Sequence, residues 1–475
     1  MRPFVSVFAL ATGLGTASAL VPPLQSASPP PTSIATIYGS LCANCHGATM
    51  QGGQGPSLVD AEWKHGGTDA DIARVIREGV NGTPMLSFRA TLTDPQIRAM
   101  VIHVREVQER ARLGTLPPQA LPLPARIESE RHAFRTEILA DGLDTPWGIE
   151  FLPDGALLVS ERPGRLRIVR QGQVLPPITG VPPVWVEQDG GLLDIAVHPR
   201  FAENGWVYLA FSETGAEPGS SSTRIIRGTI RGTALVDQIT IFRPAPALYW
   251  NNNSHYGTRL LFDRDGYLFF SIGDRGHMGD AQDLASPYGK LHRVHDDGRV
   301  PADNPFVGRK GAVASIWSYG HRNQQGLAID PRSGDLYATE HGPRGGDELN
   351  LVRKGHNYGW PIITYGMNDN GTPLTDRTAQ DGLEQPVVYW TPSIAVSGIE
   401  FYTGKRFPLW TNGLLVAALA GQQLRRLEIR DGKVTHQELL LRGHGRVRDV
   451  RVGPDGLVYV ALNGPGQIVR LSPVD

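Results

Sequence analysis

The sequence predicts an all-β six-bladed β-propeller behind a small all-α domain, and three observations carry that reading. A polar residue, then glycine, then an unbroken run of strand formers recurs six times between residues 132 and 475. The N-terminal part instead spaces its apolar residues at helical intervals, as in Ile97, Met100, Val101 and Val104. Two proline-rich stretches, over residues 20–31 and 112–131, read as semi-rigid linkers that set the helical part apart.

The chain opens "MRPFVSVFALATGLGTASAL", with one early arginine, an apolar run from Phe4 to about Leu14, and small residues ending at Ala19. That is the layout of a secretory signal peptide over residues 1–19. The run is shorter than the roughly 20 residues a membrane span needs, and no later segment qualifies. The expectation is an exported, periplasmic or secreted protein without an integral membrane segment.

Residues 32–111 form the expected helical domain, which holds both cysteines of the chain in "GSLCANCHGATMQGG". A disulfide between Cys42 and Cys45 would constrain almost no chain. Zinc usually takes four protein ligands, and there is no second cysteine pair to supply them. C-x-x-C-H is the attachment motif of haem c: Cys42 and Cys45 bond the vinyl carbons and His46 supplies the proximal iron ligand.

A second axial ligand is expected from methionine. Met50 is only four residues past His46, on the same side of the iron, and Met100 belongs to the buried stripe of a helix. Met85, in the Gly-Pro loop "VNGTPMLSF", is free to point back at the iron, ahead of His65 and His103. The alternative is that Met85 packs the haem edge. Here the sequence resembles class I cytochrome c domains, in which a loop of this T-P-M type carries the distal ligand.

The formal net charge is −1, so no strong field draws the chain to nucleic acid or to a membrane. With 56 glycines and 37 prolines the chain is rich in turns. The large domain, 132–475, explains them. Its turn-and-strand units are "LPDGALLVSE" at Asp154, "AENGWVYLAFSE" at Asn204, "DRDGYLFFSIGD" at Asp265, "PRSGDLYATEHG" at Ser333, "WTNGLLVAALAG" at Asn412 and "GPDGLVYVALNG" at Asp455. Asp-Gly and Asn-Gly accept the positive φ angles of hairpin turns, and the runs are too apolar for burial on one face only. A repeat of roughly 57 residues fits one four-stranded blade with its loops. Five or seven blades, or a pair of β-sandwiches, are the competing arrangements.

Five stretches stand out as chemistry rather than scaffold. "NNNSHYGTRLLF" places His255 just before a buried strand, and "SIGDRG" places Asp274 just past the end of that strand. "SYGHRNQQGLAID" holds Arg322 and Asn323. "EHGPRGGDELNLVRKGHNYGWP" is a long run of glycine, acid and aromatic residues. "GRVRDV" alternates Arg446 and Arg448, aiming both guanidinium groups at one face of the strand.

Together with "GGLLDIAVHP", "EHGPRGGDELN" and "NYGWP", these stretches resemble the soluble sugar dehydrogenases that depend on pyrroloquinoline quinone (PQQ), the glucose/sorbosone or aldose sugar dehydrogenase family. The match runs from about Leu143 to Leu471, and the family fold is a six-bladed propeller. The resemblance implies that His255 is the general base, a role suited to imidazole, with Asp274 orienting it. It implies that Arg446 and Arg448 clamp the carboxylates of the quinone, and that Arg322 and Asn323 face its oxygens. It also implies a calcium ion held with the quinone by the backbone carbonyls of Gly342 and Pro343. A second, structural calcium would take the Glu348 carboxylate and the Tyr358 carbonyl.

Two positions depart from the family pattern. Ala420, in "AALAGQQ", stands where relatives carry a cofactor-facing lysine, so one cation is missing. Before "GGLL", where relatives have glutamine, Asp189 stands at the matching offset and Gln188 one residue early. Gln188 is expected to face the quinone, because a carboxylate at 189 is awkward beside the cofactor's own. The loop 367–383 is expected to shape the sugar pocket.

The expected function joins the two domains: an aldose is oxidised at its anomeric hydroxyl to the lactone with PQQ and calcium, and electrons leave through the haem to a downstream periplasmic acceptor, a cytochrome or an oxidase. A calcium-dependent propeller lactonase and a non-catalytic binding propeller are the alternatives. A lactonase would need acidic side chains at the axis in place of paired arginines.

Overall fold

All six glycine turns occupy one structural position. In the computed structural model, which describes residues 32–60, 62–113 and 120–474, each turn joins the first and second strands of one blade. The first strands are Pro146–Phe151, Leu192–Val197, Leu260–Phe262, Gln324–Ile329, Val396–Phe401 and Arg446–Val452. The second strands are Leu157–Glu161, Trp206–Thr214, Leu268–Ile272, Leu336–Glu340, Leu414–Ala418 and Val458–Asn463. Five of the glycines take positive φ, from +66° at Gly205 to +82° at Gly266. In the fifth blade the left-handed residue is Asn412 itself, at φ 64°, a conformation that asparagine tolerates.

Each blade is antiparallel and four-stranded, except the last. There, Arg446–Val452, Val458–Asn463 and Gln467–Pro473 are joined by two strands from much earlier in the chain, Arg126–Glu128 and Ala133–Ala140. Ile138 pairs with Val469 and Phe134 with Pro473, so the ring closes on its own chain and leaves no open seam. The proline-rich stretch 112–131 is therefore less of a linker than expected: a helix runs on to Leu113, and Arg126–Glu128 is a paired strand. The second strands are buried end to end in five of the blades, because both of their faces meet neighbouring blades, as the unbroken apolar runs require.

The helical part comprises α1 (Ile34–Leu41), α2 (Ala43–His46), α3 (Asp69–Glu78) and α4 (Asp94–Leu113). Helix α3 starts in a capping box between Thr68 and Asp71. Thr93 and Gln96 exchange the equivalent bonds at the start of α4. Ile34, Ile37, Ile72, Ile76, Ile97, Met100, Val101 and Val104 form its core, into which Met367 of the propeller also inserts. Residues 33–475 thus cluster as one compact unit. The expected leader and first linker, 1–31, lie outside the described residues. Among the described residues no helix is long and apolar enough to cross a membrane.

The axis is charged rather than apolar. Arg259 lies 3.0 Å from both Asp194 and Asp449. Arg451 lies 3.0 Å from Asp449, 3.6 Å from Glu150 and 3.7 Å from Glu400. Two guanidinium groups thus serve four carboxylates, and burial pushes Glu400 up to about 8 against the pull of Arg451. A carboxyl that holds its proton to higher pH in the folded chain than in the unfolded one stabilises the fold most at low pH. That contribution is lost as pH rises from about 4.3 toward the folded value. Glu400→Gln should therefore flatten the pH dependence of stability, the variant gaining on the native protein by about 3 kcal/mol between about pH 5 and pH 8. Denaturant unfolding at the two pH values checks this; parallel profiles would contradict it.

Candidate active site

The hairpin turns lie at one end of the blades and the chemistry at the other. Except for Glu348, inside the third strand Asp347–Val352, and Tyr358 after it, every candidate residue of the propeller stands just before or at the start of a first strand, or just after a second strand. Residues 188–189, 255 and 322–323 precede first strands, and Arg446 and Arg448 open one. Residues 162, 274 and 341–343 follow second strands. A cavity of about 520 Å³ on the axis has Arg446, Arg448, Gln188, Asp189, Asn323 and His341 in its wall, whereas His255, Asp274, Arg322, Gly342 and Pro343 lie next to wall residues or behind them and do not line it.

The wall is built for an anion. Arg448 reaches Gln325 Oε1 at 3.1 Å and lies over the Trp147 ring at 5.1 Å, but its Nε is buried without a partner. Burial, reinforced by the like charges of Arg259 and Arg446, disfavours its cationic form. Guanidinium nonetheless stays protonated in proteins, so the charge calls for a counter-ion. His341 Nε2 and Asn463 Oδ1, also in the wall, are buried and unpartnered too. Burial first, then Arg448 and Arg322, pushes His341 down to about 3, so it faces the cavity as a neutral ring.

His255 stands beside this cavity. Its Nδ1 is 2.7 Å from Asp274 Oδ1, and its backbone N–H donates to Asp189 Oδ2 at 3.1 Å. It takes a left-handed φ of 50°, a strained conformation of the kind that clusters at functional sites. Asp274 is fully buried. Burial alone would raise its carboxyl, but the His255 bond and charge, Arg322 and the Gly276 N–H hold it below the usual carboxylate range. Its other oxygen accepts from Trp360 Nε1 at 2.7 Å. With Nδ1–H donated to Asp274, the His255 Nε2 lone pair is left free, the arrangement of an oriented base. Arg322 is held against the same group: its carbonyl accepts from Asp274 N at 2.8 Å, and its Nη1 donates to His341 O at 3.2 Å.

At the two departures the structure is specific. Both Gln188 and Asp189 reach the wall. Gln188, at φ 46°, presents its carbonyl to Arg162, whereas the Asp189 carboxylate holds His255 and lends its charge to Arg446 and Arg448. Ala420 is exposed and leaves the wall to its neighbours Leu419 and Gln422. Arg162, which the sequence reading passed over, adds a third guanidinium there. His341 and Trp360 were also passed over, although both lie in stretches already singled out.

The loop proposed for calcium is tightly reversed. Gly342 N–H donates to the buried Asp347 at 3.0 Å, and a Cβ at Gly342 would lie 2.2 Å from the Gly346 carbonyl oxygen. Among the described residues the carbonyls of Gly342 and Pro343 accept no hydrogen bond, and they suit a hard cation. Behind them Asn350 Nδ2 bridges Glu340, at 2.8 Å, and Glu348, at 3.2 Å. Burial and the Glu340 carboxylate push Glu348 well up, but among the described residues no group of three or more Asp, Glu, His or Cys side chains gathers there to hold a metal. Tyr358 stacks on His321 at 4.5 Å beside this pair, with His321 Nδ1 3.6 Å from Glu340.

In the helical part, Cys42, Cys45, His46 and Met85 share the wall of an apolar cavity of about 380 Å³. Both cysteines are free thiols. His46 Nδ1 bonds to the Pro56 carbonyl at 2.8 Å, which fixes the tautomer and leaves Nε2 for a metal. Gly55 makes room for that ring: a Cβ there would lie 3.0 Å from His46 Cε1. Met100 also lines the cavity, from helix α4, while Met50 is buried in the core away from it. The residues present fit a covalently held haem.

Residues 143–470 match the family described as glucose/sorbosone dehydrogenase, and residues 29–104 match cytochrome c oxidase, cbb3-type, subunit III. The chain is similar to the aldose sugar dehydrogenase YliI of Escherichia coli, with 43% identity over 345 residues, 71% of this chain and 92% of the relative. Its fold matches the apo-form crystal structure of the soluble E. coli aldose sugar dehydrogenase, with TM-score 0.69 and 41% identity, covering 72% of this chain and all of the other. It also matches the PQQ-bound aldose sugar dehydrogenase of Streptomyces coelicolor, with TM-score 0.58 and 30% identity, covering 74% and 99%.

A buried cation short of partners destabilises the ligand-free fold. Arg448→Met, of similar reach and without charge, should stabilise the ligand-free protein by about 1–2 kcal/mol in denaturant unfolding. A loss of stability would contradict the reading of Arg448 as a residue held in wait for an anion.

Proposed function

From the premise that this chain belongs to the glucose/sorbosone dehydrogenase family, we propose that it is a PQQ- and calcium-dependent aldose dehydrogenase that passes electrons to its own haem c in the periplasm. The observation that carries the reading is the convergence on one axial cavity of three guanidinium groups, beside a histidine held by a buried aspartate. The lactonase reading needs acids at the axis that are free to hold a metal, but the four carboxylates there, Glu150, Asp194, Glu400 and Asp449, are engaged by Arg259 and Arg451, and the cavity wall sets three guanidinium groups against Asp189.

When bound, the quinone supplies the hydride acceptor, calcium the Lewis acid that polarises it, and haem a one-electron carrier. The protein's share is binding, orientation and proton transfer. Arg446, Arg448 and Arg162 face a tricarboxylate with three cations, so Arg162 offsets the lysine missing at Ala420. Gly342 and Pro343 would hold the catalytic calcium, and Glu348 with Tyr358 the structural one. Arg322 and Asn323 present positive charge and an amide where negative charge develops.

The sugar's anomeric hydroxyl gives its proton to His255 Nε2 as the C–H hydrogen leaves with its electron pair. Asp274 stabilises the imidazolium that results, and the buried indole of Trp360 keeps Asp274 in place. Asp189 fixes the His255 backbone from the next blade. In the helical part Cys42 and Cys45 would anchor the haem, with His46 and Met85 on its iron. Thioether ligation raises the potential, as an electron acceptor requires.

Protein prepared without quinone should show no sugar oxidation with calcium alone and gain it when quinone and calcium are added together. Hydrolysis of a lactone with calcium alone would overturn the reading in favour of a hydrolase. In the reconstituted enzyme His255→Ala should lower kcat about 10²- to 10⁴-fold while quinone binding is retained; an unaffected rate would remove His255 as the base.

A further inference from the structure

Helix α4 has two working faces. Met100 and Val104 line the haem cavity on one side. Arg98, Ile102, Glu106 and Glu109, on the opposite side by helical geometry, meet the propeller. Glu106 accepts a fork from Arg344, Nε at 2.7 Å and Nη2 at 2.6 Å. Glu109 pairs with Arg442, and Arg98 donates to Thr375 O at 2.6 Å. Ile102 packs on Gly345, where a Cβ would approach to 3.2 Å. Ile34 N donates to Gly371 O at 2.9 Å.

The partner surface is continuous with the loop proposed to hold calcium and with the loop expected to shape the sugar pocket. Arg344 follows directly on Gly342 and Pro343. The loop expected to shape the sugar pocket supplies Met367, Gly371 and Thr375 to the contact. On the helical side, Tyr38 lines the haem cavity and sets its ring edge-on to His103 of α4 at 5.7 Å. Helix α4 thus lines the haem cavity on one side and on the other meets Arg344 and Gly345, which continue the chain from His341 in the axial wall, and ion pairs pin it in place.

We infer that the Arg98–Ile102–Glu106–Glu109 face of α4 is a built-in docking surface that carries electrons from the sugar site to the haem within one chain. The inference rests on the function proposed above. Each sugar gives up two electrons and two protons. A haem held by Cys42, Cys45, His46 and Met85 would supply a one-electron carrier, so the two electrons would leave in two successive transfers to an external one-electron redox protein, and both protons would go to solvent. A bidentate arginine–carboxylate pair fixes orientation as well as contact, so the separation is the same at every turnover.

The test uses the full haem-loaded chain and the charge-reversed variant Glu106→Lys, Glu109→Lys. In the native protein with quinone and calcium, sugar should reduce the haem at a rate independent of protein concentration. The variant should reduce a soluble dye as fast as the native protein, keep a haem that dithionite reduces normally, and reduce that haem from sugar at least ten-fold more slowly. Without quinone or sugar, hydrogen exchange across residues 94–113 and 366–377 should be faster in the variant. Native-like haem reduction or native-like exchange in the variant would overturn the inference, as would equal losses of dye and haem reduction. A native protein that reduces the dye but never its haem would instead overturn internal transfer itself.

Discussion

A half-buried guanidinium group at the propeller axis, its Nε sealed off without a partner, is the constraint around which this molecule is arranged. Arg448 has a glutamine oxygen, an indole face and two neighbouring cations. Such a group is stable only if an anion completes it or the surrounding structure bears the cost. The fold supplies Asp189 as a partial answer, and the same carboxylate holds His255 in its strained backbone conformation. Anion recognition and base positioning are thus tied through one residue.

The propeller makes this possible because its core lies between blades rather than on its axis. Apolar strands buried on both faces hold each blade to the next, and the first strands remain to carry charge. Deeper along the axis Arg259 and Arg451 stitch five blades through carboxylates, and backbone N–H groups of one blade bond to acids of another, as Ile149 does to Asp449 at 3.0 Å. These bonds fix where the first strands begin, and therefore where Arg446, Arg448, His255 and Asn323 sit.

Much of this was legible in the sequence. Asp-Gly and Asn-Gly turns mark a local backbone requirement, so all six blades could be counted, and C-x-x-C-H marks its chemistry by spacing alone. His255 and Asp274 stood out because one precedes and the other follows a buried apolar run, in stretches that resemble the sugar dehydrogenases. What stayed hidden depends on distant partners. The Arg344–Glu106 fork joins residues 238 apart in the chain. Arg162 sits in an ordinary turn whose position in the cavity wall only the closed ring reveals. Arg126–Glu128 was masked by surrounding prolines, and its role as an edge strand comes from pairing with Ala133–Ala140, which itself needs the C-terminal strands.

The most direct measurement is a crystal structure of the protein soaked with PQQ and calcium. The account places the tricarboxylated ring in the axial cavity, with its carboxylates on Arg446, Arg448 and Arg162 and a calcium ion on the carbonyls of Gly342 and Pro343. It also places His255 Nε2 open toward the space above the ring. A ring bound elsewhere, or a cavity that stays empty at saturating quinone, would contradict it.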